Sequence, residues 1–94
     1  MAEGHMATAA QFAPLIERVH GEHHPELTRV RELTEQVQQA SSAGQVAALF
    51  DELRAVTGNY AVPGDGCEAF EATYRALEHA DAAQGLGTTP GGTV

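Results

Sequence analysis

The chain has 94 residues, with five arginines, no lysine and thirteen acids, for a formal charge of -8. That length makes one small domain with a thin core, burying only about 60–70% of its unfolded surface. The acidity argues against nucleic-acid binding, which needs a clustered basic surface; the single cysteine excludes an internal disulfide framework; and no apolar run reaches the roughly 18–20 residues of a membrane span.

The N-terminus lacks the basic start and apolar core of a signal peptide, so a cytoplasmic location is expected. Gly4-His5-Met6 reads as a cloning remnant, which places the natural start at Met6 and leaves His5 out of any metal argument. Residues 1–8 and 85–94 are small, polar or glycine-rich and show no periodicity. They are expected to be disordered, with the helical bundle domain at 9–84.

Apolar residues recur at helical spacing in four segments. Segment A runs from about Thr8 to His20, with Phe12, Leu15, Ile16 and Val19 as its stripe. Pro14 belongs in a first turn, so the regular helix is expected to start near Ala13, and Gly21 suits a left-handed position after the last turn. Segment B runs from about Pro25 to Ala40, with His24 as N-cap and Leu27, Val30, Leu33 and Val37 as its stripe.

Segment C runs from about Ala43 to Thr57. Ser42 and Gln45 make a capping box, Val46, Leu49, Phe50, Leu53 and Val56 form the strongest stripe in the chain, and Gly58 ends it. Segment D runs from about Gly66 to Gln84 behind a second box, Asp65 with Glu68. Cys67, Phe70, Tyr74 and Leu77 line its inner face, Ala80 and Ala83 lie beyond, and Gly85 and Gly87 terminate it. Short links between such segments make antiparallel neighbours. The expected fold is all-α, a short antiparallel up-and-down four-helix bundle.

Two blocks carry a family resemblance. One is Leu15 to Leu27 continuing through Val30-Arg31-Glu32-Leu33; the other is Leu49 to Tyr60, then Pro63, Asp65, Cys67, Phe70 and Tyr74. Together they cover about two thirds of the chain. They resemble the two turns at one end of the hemerythrin-like (HHE) domain of di-iron iron–sulfur cluster repair proteins. That family places iron ligands early in helix one, late in helix two, early in helix three and late in helix four. None of the six can be carried over: helix two runs into Ala40-Ser41-Ser42-Ala43-Gly44, helix three opens at Gly44-Gln45, and the last His-x-x-x-Glu spacing falls near Gly87 and Gly91. The resemblance therefore implies a half-length hemerythrin-like bundle without its metal-ligand half.

His20, His23 and His24, with Glu17 and Glu22, invite a metal reading. On one continuous helix Glu17, His20 and His24 would share a face, but Gly21 and Pro25 break the helix. The plainer reading is a polar turn whose histidines cap helix ends. Cys67 reads as a buried small residue rather than a nucleophile, because no motif supplies an adjacent base. Tyr60, Phe70 and Tyr74 read as core rather than as a ligand pocket. Glu52, Glu68, Glu71, Glu78, His79 and Asp81 read as solvated surface.

The leading expectation is a metal-free helical module, with no catalytic residues and no cofactor, acting in self-assembly or protein–protein interaction as a homodimer or higher oligomer. Phe12, Tyr74, Ala80 and Ala83 are the expected contact. The alternative is a small iron- or zinc-binding protein related to iron–sulfur cluster repair or to the nitric-oxide and oxidative stress response. It would use His20, His23 and His24 with Glu17. A third reading is a small-molecule sensor with its pocket beneath the two turns.

Overall fold

The structure is a computed structural model that describes the backbone of residues 2–93 and the side chains of residues 4–84. Four α-helices follow in order: α1 (Ala2–His20), α2 (Glu26–Gln39), α3 (Ala43–Thr57) and α4 (Glu68–Thr93). Cross-helix pairs give their directions. Glu17 meets Thr28 and Arg31, while Arg29 meets Glu52. His5 stacks on His79 at one end of the α1–α4 pair and His20 meets Cys67 at the other. Each helix thus runs antiparallel to its chain neighbour, and α1 also lies antiparallel along α4, closing an up-and-down four-helix bundle. No helix among the described residues is long and apolar enough to cross a membrane.

The expected boundaries hold best where capping is local. Ser42 has extended backbone and its hydroxyl accepts from the Gln45 N–H at 3.1 Å, while the Gln45 carboxamide accepts from Ser41 N–H at 3.2 Å. The box therefore closes one residue earlier than expected. Gly58 ends α3 in the left-handed region at φ 63°, and Asn59 and Tyr60 share that conformation. Left-handed backbone is costly for a bulky residue and persists only when its surroundings over-determine it. Tyr60 is so held: its N–H donates to Thr57 Oγ1 at 2.8 Å, its hydroxyl donates to Asp81 Oδ2 at 2.9 Å, and its carbonyl accepts from Arg75.

Four expectations are corrected. First, α1 begins at Ala2 rather than near Thr8 or Ala13, and Pro14 lies inside it, on the exposed side. Residues 4–8 therefore belong to α1, because Met6 and Ala9 are buried in the core. Second, the stripe of α1 is rotated. Met6, Ala9, Ala13 and Ile16 are buried, whereas Leu15 is 42% and Val19 71% exposed and Phe12 is half-buried. The physical reason is close approach. α1 makes its most extensive contact with α4, and Ala9, Ala76 and Ala80 join one core cluster, small residues that let two helices come together.

Third, α2 starts one residue later, with Pro25 at the N-cap position and no side-chain cap, since the His24 ring is directed elsewhere. Gly21 is needed not for a left-handed φ but because a Cβ there would collide with the Glu17 carbonyl. Fourth, α4 starts at Glu68 and is not ended at Gly85, its backbone continuing to Thr93. The side chains of 85–94 lie outside the described residues, and so does the expectation of a tail that packs nowhere.

The core holds Ile16, Leu27, Val30, Leu33, Phe50, Leu53, Phe70, Tyr74 and Leu77. Burial pushes the Tyr74 phenol up to about 12, with Glu26 adding to the effect. The α2 stripe is buried as its spacing predicts. The α3 stripe is shallower than expected, with Val46, Leu49 and Val56 only partly buried, because α3 makes little contact with α4. Three buried threonines satisfy themselves within their helices: Thr34, Thr57 and Thr73 donate to the carbonyls of Val30, Leu53 and Ala69, each at 2.7 Å.

Candidate functional site

The polar residues of the α1–α2 turn meet those of the α3–α4 loop. His20 ends α1, and its Nε2 lies 3.2 Å from Cys67 Sγ. His24 follows the turn, with Nε2 at 3.0 and 3.1 Å from the two Asp65 oxygens and Nδ1 at 3.2 Å from Glu26 Oε2. Phe70, on the first turn of α4, supports both rings edge-on, with centroids 5.3 Å from His20 and 5.5 Å from His24. Tyr74 stands behind Phe70 at 4.9 Å.

Both nitrogens of His24 face carboxylates, and an imidazole can donate from both only when it is the imidazolium. Asp65, above all through its hydrogen bond, raises the His24 pKa above its ordinary value, and Glu26 adds to it. In return His24 holds the Asp65 carboxyl below its usual range. Cys67 is exposed, not buried as expected, and its neighbour is the His20 imidazole. The two residues are 47 apart in the chain, a pairing that no spacing rule encodes.

Of the residues of the metal alternative, His20 and His24 come together, with ring centroids 6.4 Å apart. Glu17 turns to α2, accepting from Thr28 at 2.8 Å and Arg31 at 2.6 Å; the Thr28 bond first, and then Arg31, lowers its pKa. His23 is exposed in the turn. Among the described residues, no group of three or more His, Cys, Asp or Glu side chains is arranged to hold a metal ion.

Two of the charges read as solvated surface, Glu52 and Asp81, tie helices together, while Glu68 and Glu71 are exposed as expected. Arg29 makes a two-pronged pair with Glu52, at 2.7 and 2.9 Å, joining α2 to α3 and lowering the Glu52 pKa. Arg54 joins α3 to α4 through Asp81, at 2.6 and 2.5 Å, and also pairs with Asp51. Burial pushes the Asp81 carboxyl up, but its bonds with Arg54, Gln84 and Tyr60 outweigh that and hold it below the usual range. Glu78 pairs with Arg75. Among the arginines Arg18 differs: it has no ion pair among the described residues, and it lies exposed between Leu15 and Val19.

The opposite end of the bundle is apolar. A cavity of 290 Å³ opens there, lined by Met6, Val37, Val46, Phe50 and Ala80, with Gln38 and Gln84 completing the lining. Tyr60, Phe70 and Tyr74 are buried, and Tyr60 also borders a second hollow of 380 Å³ with Arg54, Asn59, Glu78 and Asp81. Compared with family models, curated proteins and solved structures, the chain matches none.

Proposed function

We propose that this chain is a helical interaction module that assembles with a second copy of itself through the outward face of α1. The observation that carries the reading is the exposure of Leu15 and Val19, the large hydrophobic residues left in solvent among the described residues while the other stripes turn inward. Half-buried Phe12 continues their strip. Arg18 lies within it without an intramolecular ion pair, and a chain of charge -8 offers carboxylates in its second copy. Tyr74 and Ala80, expected in the contact, are core and leave α1 as the surface. A two-fold pairing is the simplest closed arrangement.

The hemerythrin-like resemblance is retained as part of this proposal, in a metal-free and cytoplasmic form. Two observations support it. His20–Cys67 and His24–Asp65 link the two resembling blocks at one end of the bundle. At the other end, where the resemblance would place the irons, the cavity lined by Met6, Val37, Val46, Phe50 and Ala80 has no histidine or carboxylate among its described lining residues.

Sedimentation or light scattering across micromolar concentrations tests assembly. A dimer is expected, converted to monomer by Leu15→Ser with Val19→Ser while helical content is kept. A wild-type chain that stays monomeric at every concentration overturns the self-assembly reading. Metal analysis of tag-free protein tests the other part: two irons per chain or per dimer would overturn the metal-free reading.

A further inference from the structure

We infer that the apolar cavity at the open end of the bundle is a binding site for a small, uncharged, aromatic-sized molecule carrying one hydrogen-bonding group. The cavity lies at the end remote from both the polar turns and the outward strip of α1. Its lining comes from all four helices: Met6 on α1, Val37 on α2, Val46 and Phe50 on α3, and Ala80 on α4. The site therefore exists only in the folded bundle, and its walls are held by the same contacts that make the core.

Three properties select the occupant. The first is size. An apolar cavity of about 150 Å³ takes up benzene and otherwise stays dry. At 290 Å³, this one has room for a fused two-ring system or a single ring with a short chain. The second is charge. Among the described residues no Asp, Glu, Arg or His lines the cavity, so an ionised ligand would lose its hydration with no counter-charge in return. The third is polarity at the edge. Exposed Gln38 supplies a carboxamide there, a group that both donates and accepts, while Gln84 is engaged with Asp81 at 3.1 Å. A hydroxyl or carbonyl on the ligand is matched at that edge, while the rest of it meets methyl and ring carbon.

The pattern is that of small-molecule sites in general, a mostly apolar concavity with a few polar groups fixing orientation. Val46 and Phe50 sit on α3, the helix with the least contact to α4, so the wall that must adjust to a ligand is the one least tied to its neighbour. This inference is independent of assembly through α1.

Titration of the full chain with 2-naphthol, followed by calorimetry and by methyl shifts of Met6 and Ala80, tests it. Saturable binding to one site per chain is expected, with the largest shifts at those two methyls. 2-Naphthoate, the same ring with a fixed negative charge, is expected to bind at least tenfold more weakly. Val46→Phe fills the cavity from its partly buried wall and is expected to weaken naphthol binding at least tenfold; Ala80→Val repeats the test from α4 should the first variant lose helical content. Absence of binding overturns the inference, as does binding untouched by either filling variant. It is also overturned by naphthoate binding as tightly as naphthol, by shifts confined to Leu15 and Val19, or by naphthol dissociating a dimer, which would make a second copy the occupant.

Discussion

Where α1 passes into α2 and α3 into α4, the bundle is closed by contacts of high specificity: His24 between Asp65 and Glu26, His20 against Cys67, and Phe70 beneath both rings. At the other end, Met6, Val37, Val46 and Phe50 surround 290 Å³ of space and are joined only by apolar contact. The difference shows how a small bundle divides its work. Directional polar bonds set the register of the helices at one end, because each has one good geometry. Non-directional apolar contact at the other end tolerates space and adjustment.

The sharpest way to break this comparison is to remove one phenylalanine from each end. Phe70→Ala is expected to cost about 3–5 kcal/mol, since it empties a closed site under two histidines and Tyr74. Phe50→Ala is expected to cost less, because its surroundings already border open space and can relax into it. Urea unfolding of the two variants measures the difference, and equal losses would mean that both ends pack alike.

Asp81→Ala comes next. It leaves the buried Tyr60 hydroxyl without its partner and Arg54 with Asp51 alone, an expected loss of about 1–3 kcal/mol for the unsatisfied buried group. An unchanged unfolding midpoint would show that the left-handed Tyr60 is held by packing alone. Ser42→Ala, at the cap of α3, is expected to cost about 1 kcal/mol and to leave the polar end untouched. Chemical shifts of His20 and His24 that move in this variant would contradict the separation of the two ends.

The smallest expected effect is a pH dependence confined to the polar end. The pKa of His24 is raised above 6.5 by Asp65, so its stabilisation is complete below that value and is lost as pH rises through the higher folded-state pKa. The pKa of Asp65 is lowered below 3.8 by His24, so its share is complete above that value and is lost as pH falls through the lower folded-state pKa. The pair therefore contributes most between about pH 4 and 6.5. The melting temperature is expected to fall from pH 6 to pH 8, and less so in His24→Gln. An identical fall in the variant would assign the dependence to another group.

Much of this molecule was legible residue by residue. The four helices, the buried face of α2, the Ser42 cap and the left-handed Gly58 all follow from local rules, because a 3.6-residue period and a cap involve neighbours within one or two turns. What lay beyond that range was decided by tertiary packing. The larger side chains Phe12, Leu15 and Val19 marked the obvious stripe of α1, yet Ala9 and Ala13 face inward, because distance between helices and not hydrophobicity alone selects the face laid on α4. His24 reads as a cap until Asp65, 41 residues on, is folded against it. Cys67 and His20 become neighbours, and Asp81 leaves the surface for Arg54 and Tyr60, for the same reason. The sequence by itself determined where the helices form; only the closed bundle decided which side chains they bring together, since a side chain's partner across a bundle depends on the register of two helices that no local pattern encodes.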